Sequence, residues 1–131
     1  MTSYKFRIKG HQNIKGTHLT TFEFTKSLEL TSAGDCIIGV SSNFDLNELK
    51  RFLKFSEVEI KILIGSEKEI IVAKPNPDFD DSHEMVIRLG SFASSRTFAI
   101  DANKASKHIN RKLIELLKNP EAMAEVEIIG R

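Results

Sequence analysis

At 131 residues, 40% hydrophobic and 28% charged, the chain can bury one core without disulfides or metals and is too apolar for a disordered segment. A formal net charge of +1 excludes a polyanion-binding footprint over the whole molecule and leaves only a local basic face for that class. One cysteine, Cys36, excludes an internal disulfide and suits a reducing compartment.

"YKFRIKG" (4–10) opens the chain as a strand. Charge enters at Lys5, with no apolar segment of signal-peptide length, and no later apolar run approaches membrane-spanning length. The expectation is a soluble, cytoplasmic, single-domain protein with no membrane partner. "HLTTFEFT" (18–25) is the second strand, with Thr20, Phe22 and Phe24 on one face and Thr21, Glu23 and Thr25 on the other. "CIIGVSS" (36–42) follows with strand composition. Asp45 is placed to cap a helix whose apolar face is Leu46, Leu49, Phe52 and Leu53. "EVEIKILIG" (57–65) alternates Val58, Ile60, Ile62 and Ile64 against Glu57, Glu59 and Lys61, the pattern of a half-buried strand.

The second half follows the same rhythm. "EIIVAKP" (69–75) is a strand, and the Pro75/Pro77 stretch after it is a long loop. "HEMVIRLG" (83–90) groups Met85, Ile87 and Leu89 against Val86 and Arg88, and "TFAIDA" (97–102) forms the next strand. A helix is expected from about Asn103, with Ala105, Ile109, Leu113, Leu116 and Leu117 as its stripe, ending at Asn119-Pro120. "AEVEIIG" closes the chain, and the tetrapeptide "EVEI" occurs in both halves, at 57–60 and 125–128. Gly39-Val40 and Ala99-Ile100 occupy matching places, where small residues point to close backbone approach.

These readings predict an α+β fold of two β-β-β-α-β half-repeats, about 4–65 and 69–130, related by a pseudo-two-fold. Short strand–helix–strand links favour right-handed crossovers between parallel strands. Many strands with few edge-protecting features favour a closed or nearly closed barrel flanked by two helices.

The segments "GHQNIKGTHLTTFEFTK", "LTSAGDCIIGV" and "RTFAIDANKASKHINRKLIELLKNP" resemble the archaeal domain-of-unknown-function family 371 over nearly the full length. The resemblance implies an archaeal cytoplasmic protein and brings no biochemical role with it. The family's second half usually reads Ala-Asp-Lys-Ala-Ala where this chain has Ala102-Asn103-Lys104-Ala105-Ser106, so Asn103 stands in place of an acid.

Glycine-rich phosphate loops, Gly-x-Ser-x-Gly and Cys-x-x-Cys are all missing, and no cofactor is identified. His11, His18, His83 and His108 lack metal-ligand spacing, so no metal site is assigned. "DFDDSHE" (78–84) reads as a solvated acidic loop or a divalent-ion loop without the usual glycine. Cys36 shares a strand face with Ile38 and Val40, as an inert buried thiol would; a nucleophile would need a histidine such as His18 beside it. Asp35, in a Gly-Asp turn, either serves the turn or joins a site.

Lys104, Lys107, His108, Arg111 and Lys112 would fall on one face of the second helix, with Lys104 in its first turn. There the helix dipole calls for a neighbouring anion, either Asp101 or a ligand. Under a two-fold, "SSNFD" and "DANKA" would converge. The candidate ligand-binding set is therefore His18, Asp35, Ser41, Asn43, Arg96, Thr97, Asp101, Asn103 and Lys104, with Ser42 close by. The leading expectation is binding of an anionic small molecule, a metabolite or nucleotide. With no nucleophile–base pair in view, enzymatic activity and catalytic residues are unassigned. The alternatives are a nucleic-acid-associated module using basic helix faces and a homodimeric interaction protein without a ligand.

Overall fold

The computed structural model describes residues 2–131. Eight strands form one mixed sheet: β1 (Ser3–Lys9), β2 (Thr21–Thr25), β3 (Ile37–Gly39), β4 (Val58–Ile64), β5 (Glu67–Pro75), β6 (Glu84–Arg88), β7 (Thr97–Ile100) and β8 (Met123–Gly130). Helix α1 (Leu46–Lys50) joins β3 to β4, and a 3₁₀ turn (Ser106–His108) followed by α2 (Arg111–Leu117) joins β7 to β8. The spatial order is β1-β8-β4-β5-β7-β6-β2-β3. No helix among the described residues is long and apolar enough to cross a membrane.

Alternation in the sequence becomes alternation in burial. Val58, Ile60, Ile62 and Ile64 of β4 are buried while the residues between them are half-exposed. Strand β2 differs, because all five of its residues are buried. Phe22 and Phe24 enter the apolar core with Phe6, Ile8, Ile60, Ile62 and Phe98, while Thr21, Glu23 and Thr25 fill the opposite face.

The expected closed or nearly closed barrel is replaced by an open sheet. A barrel needs a ladder joining its first and last strands. Here the β1 and β3 edges touch at a single bridge, Lys9 to Val40, made of two backbone hydrogen bonds of 2.8 and 3.0 Å. β3 is three residues long, too short to supply a ladder. The backbones at that edge do come close, since a Cβ on Gly39 would lie 2.7 Å from Ile8 Cβ. Helical crossovers between parallel neighbours are also absent. Neither β3 and β4 nor β7 and β8 are adjacent, and the parallel pairs β2/β3 and β6/β7 are linked by loops.

Helix α1 starts as expected, with Asp45 Oδ1 accepting from Asn47 N at 2.8 Å and Glu48 N at 3.4 Å. Helix α2 does not reach back to Asn103. Asn110 is its cap, accepting from Lys112 N and Leu113 N, and Ala105 is extended (φ −110°, ψ −178°). The apolar spacing through Ala105 and Ile109 is thus served by a 3₁₀ turn and a break, and Leu116 of the expected stripe is 44% exposed.

Candidate functional site

The buried polar face of β2 is where side chains of chemical interest gather. β6 lies antiparallel beside it, pairing Thr21 with Arg88 and Thr25 with Glu84. The face continues on one side to Cys36, just before β3, and on the other to Arg96 and Thr97 at the start of β7. The loop before β2 is fixed from below. The Asp35 carbonyl accepts the N–H groups of Thr17 and His18 at 3.2 and 3.3 Å. Ser106 Oγ lies 2.6 Å from the Thr21 carbonyl and 3.0 Å from that of Cys36. His18 Nδ1 then accepts from Thr20 N and Thr21 N at 3.2 and 3.1 Å, which places the neutral ring's proton on Nε2.

Above this platform, Thr20, Thr21, Arg88, Gly90 and Phe92 line a cleft of about 150 Å³. Arg88 Nε donates to the buried Thr97 hydroxyl at 3.0 Å, and that hydroxyl also accepts from Ser94 N. The guanidinium lies 4.9 Å from the centroid of the exposed Phe92 ring. Among the described residues no carboxylate comes within ion-pair distance of Arg88.

Beneath the cleft sits a carboxyl pair. The Glu23 side chain is 5% exposed, with Arg96 Nη2 at 3.7 Å and Cys36 Sγ at 4.0 Å from its Oε1. Glu84 lies diagonally across from it on the same face, since Glu23 pairs with Val86 and Thr25 with Glu84. Burial first, then Glu84, push Glu23 up to about 8, with Arg96 and Arg88 pulling the other way. Glu84 Oε2 is sealed from solvent and receives no N–H or O–H donor among the described residues. Burial and then the Glu23 charge raise the Cys36 thiol above its ordinary value, the opposite of what an activated nucleophile requires.

Of the nine predicted residues, His18, Asp35, Arg96 and Thr97 lie around this face. Asp101 borders it, its N–H donating to the carbonyl of the cleft residue Gly90 at 2.9 Å. Ser41, Asn43, Asn103 and Lys104 do not join them, and the expected convergence of "SSNFD" with "DANKA" does not occur. Asn43 exchanges hydrogen bonds with Arg7 of β1: its N–H reaches the Arg7 carbonyl at 3.2 Å and its Oδ1 accepts from Arg7 N at 2.7 Å. Asn103 repeats this with Val72 of β5, at 3.0 Å for both bonds. β8 and β4 stand between those two strands. Ser41 and Asn43 instead border two adjoining hollows of about 230 and 170 Å³, with Lys5, Arg7 and Lys9 of the edge strand around them. Asp101 lies 4.0 Å from Lys74.

Lys104 is outside any α-helical first turn, and its ammonium is paired with Glu69 rather than Asp101. The continuous basic face expected on α2 is likewise broken up. Arg111 spends its guanidinium on the carbonyls of Gly16, Ser106 and Ile109.

Arg88, Thr21, Glu23, Glu84 and Phe92 were not among the predicted residues. A signal for the first four existed: each falls on the polar side of an alternating strand, the side a one-sided sheet would leave to water, and Glu84 also closes the acidic stretch 78–84. Phe92 carried none.

A family model for "Domain of unknown function (DUF371)" matches residues 6–131. The chain belongs to this family. It is also 34% identical over 119 residues to the uncharacterized protein MJ0206 of the archaeon Methanocaldococcus jannaschii, covering 86% of this chain and 88% of that one.

Proposed function

We propose that the protein binds an anionic small molecule, a metabolite or nucleotide, in the cleft walled by Thr20, Thr21, Arg88, Gly90 and Phe92. The observation that carries this reading is Arg88. Its guanidinium is half-buried and held in place by the Thr97 hydroxyl and the Phe92 ring, with no carboxylate in ion-pair reach among the described residues. A fixed cation beside two threonine side chains suits an oxyanion, since arginine offers several donors in one plane. The Phe92 ring, 68% exposed, offers a stacking surface for a planar group on the same molecule.

The test is thermal denaturation of wild type and Arg88→Gln with and without sulfate, phosphate or a nucleotide. Free ligand at a hundred times its Kd stabilises a folded protein by about 2.7 kcal/mol. Stabilisation of wild type but not of Arg88→Gln is the expected outcome. Equal stabilisation of both would move the anion site elsewhere.

A second reading rests on the edge strand. Lys5, Arg7 and Lys9 project on one side of β1 around the Ser41–Asn43 hollows, with Glu125 near Lys5 as a counter-charge. That stripe would suit a nucleic-acid backbone better than the helix faces do. Polyanion binding there should weaken steeply with added salt, whereas a one-arginine cleft should respond little.

A further inference from the structure

Two carboxyl groups meet on the buried face of β2 and β6, a few residues from the cleft arginine. Two carboxyls set diagonally on one buried face repel each other as long as both are ionised, and two carboxylates are acceptors only, so a proton on one of them relieves both problems. The surroundings give no substitute for that proton. Arg96 approaches Glu23 at 3.7 Å, an ion-pair distance rather than a hydrogen bond, and the Cys36 thiol at 4.0 Å is a weak donor. Glu84 Oε2 is shut away from water with no N–H or O–H to accept among the described residues.

We propose that Glu23 and Glu84 form a proton-binding site holding one shared proton near neutral pH, and that this proton sets the affinity of the Arg88 cleft for anions. The inference rests on the cleft reading and adds its control. The charged and titratable groups around the pair are Arg88 on β6, Arg96 before β7, Cys36 and Asp35 before β3, His18 beyond Thr21, and Asp81, whose carboxylate accepts from Glu84 N at 2.7 Å, with His83 next to Glu84 in the chain. Arg88 and Arg96 keep their charge throughout. With the proton in place, these two cations face one carboxylate, and the face attracts an anion. With the proton gone, they face two carboxylates and the attraction is cancelled. The raised Glu23 carboxyl agrees with a proton retained across the neutral range. Linkage makes the effect reciprocal, so an anion in the cleft should draw a proton onto the pair.

The experiment uses sulfate, whose charge is constant over the range, titrated into the full chain by calorimetry at pH 6 and pH 9.5. Wild-type affinity should fall roughly tenfold between the two, within the usual range of coupling between sites. Glu23→Gln keeps the shape of the protonated acid and leaves one carboxylate, so it should bind at both pH values as wild type does at pH 6. Glu84→Gln should do the same and serves if the first variant folds poorly. Carboxyl carbon NMR of wild type without sulfate reads the proton directly, and should show the pair still protonated at pH 7. Both carboxyls ionised by pH 6 would overturn the inference. So would equal sulfate affinity at the two pH values, a result that leaves the cleft reading standing. No sulfate binding at either pH would overturn both.

Discussion

Glu23 and Glu69 are both almost excluded from water, and their surroundings treat them in opposite ways. Glu69 on β5 has a donor for nearly every direction it faces. Lys104 pairs with Oε1, which also accepts from Ile70 N at 3.0 Å, and Oε2 accepts from Asn110 N at 2.8 Å. Glu23 on β2 faces another carboxyl, a thiol and one arginine outside hydrogen-bonding distance. The first arrangement ties Lys104, two residues before the 3₁₀ turn, and the cap of α2 to the sheet. The second holds nothing in place that an apolar residue could not. A carboxylate with all its donors is part of the scaffold, while one left short is a candidate for handling protons or ligands.

The contrast predicts its own tests. Glu69→Ala should be the most damaging change: it strips the partner from Lys104, whose side chain is 32% exposed, and leaves Asn110 N without an acceptor. Breaking a buried pair from one side costs about 3 kcal/mol, a drop of roughly 10 °C in melting temperature for a chain of this size. Glu23→Gln should cost little and above pH 8 should stabilise. The sign follows from the direction of the shift. The folded carboxyl titrates near 8 and the unfolded one near its ordinary value of 4.5, so the folded state holds the extra proton between them. Wild-type stability is then full below pH 4.5 and declines as pH rises towards 8, by up to about 1.4 kcal/mol per pH unit. Chemical denaturation across pH 5 to 8 should show this decline in wild type and a flatter profile in Glu23→Gln.

Much of the fold was legible because it is local. Alternation in "EVEIKILIG" and the cap at Asp45 depend on neighbours two to four residues away, and both are met. Helix α2 misled because Ala105, Ile109, Leu113 and Leu117 keep a helical spacing through the break at Asn110. That break is decided from a distance, by Glu67 and Glu69 on β5. Closure of the sheet was a question of how β3 meets β1, which no local pattern encodes. The site was legible only in part for the same reason. Glu23 and Glu84 are neighbours solely because β2 pairs with β6, and Arg88 gains its role from Thr97 and Phe92.

Smaller effects refine the comparison. Lys104→Ala should cost about 1 kcal/mol, because Glu69 keeps its two backbone donors. It should leave sulfate affinity unchanged, and a loss of affinity would place Lys104 in the site after all. Ser41 and Asp101 adopt matching left-handed conformations, φ 49° and 51°, and each is followed two residues later by an asparagine locked to a neighbouring strand. Asn43→Ala and Asn103→Ala should each cost about 0.5–1 kcal/mol by thermal denaturation. Asn43→Ala should also alter any binding at the β1 hollows, while Asn103→Ala should not.

An effect on a rate gives the most local reading of the Glu23 charge. Cys36 is half-buried, and both its burial and the nearby carboxylate discourage the thiolate. Only the thiolate reacts with a disulfide reagent, so Cys36 should be modified more slowly than free cysteine at pH 8. Glu23→Gln removes the carboxylate and leaves the burial. At pH 9.5, where Glu23 is ionised in wild type, the variant should react faster by at least about fivefold, the effect of one charge about 4 Å away at the dielectric of water. At pH 6, where the pair already holds its proton, Glu23→Gln should change the rate much less. A gain of the same size at both pH values would mean that the substitution loosened the packing around Cys36. A gain confined to high pH would report the Glu23 charge itself, read by a thiol that takes no part in binding.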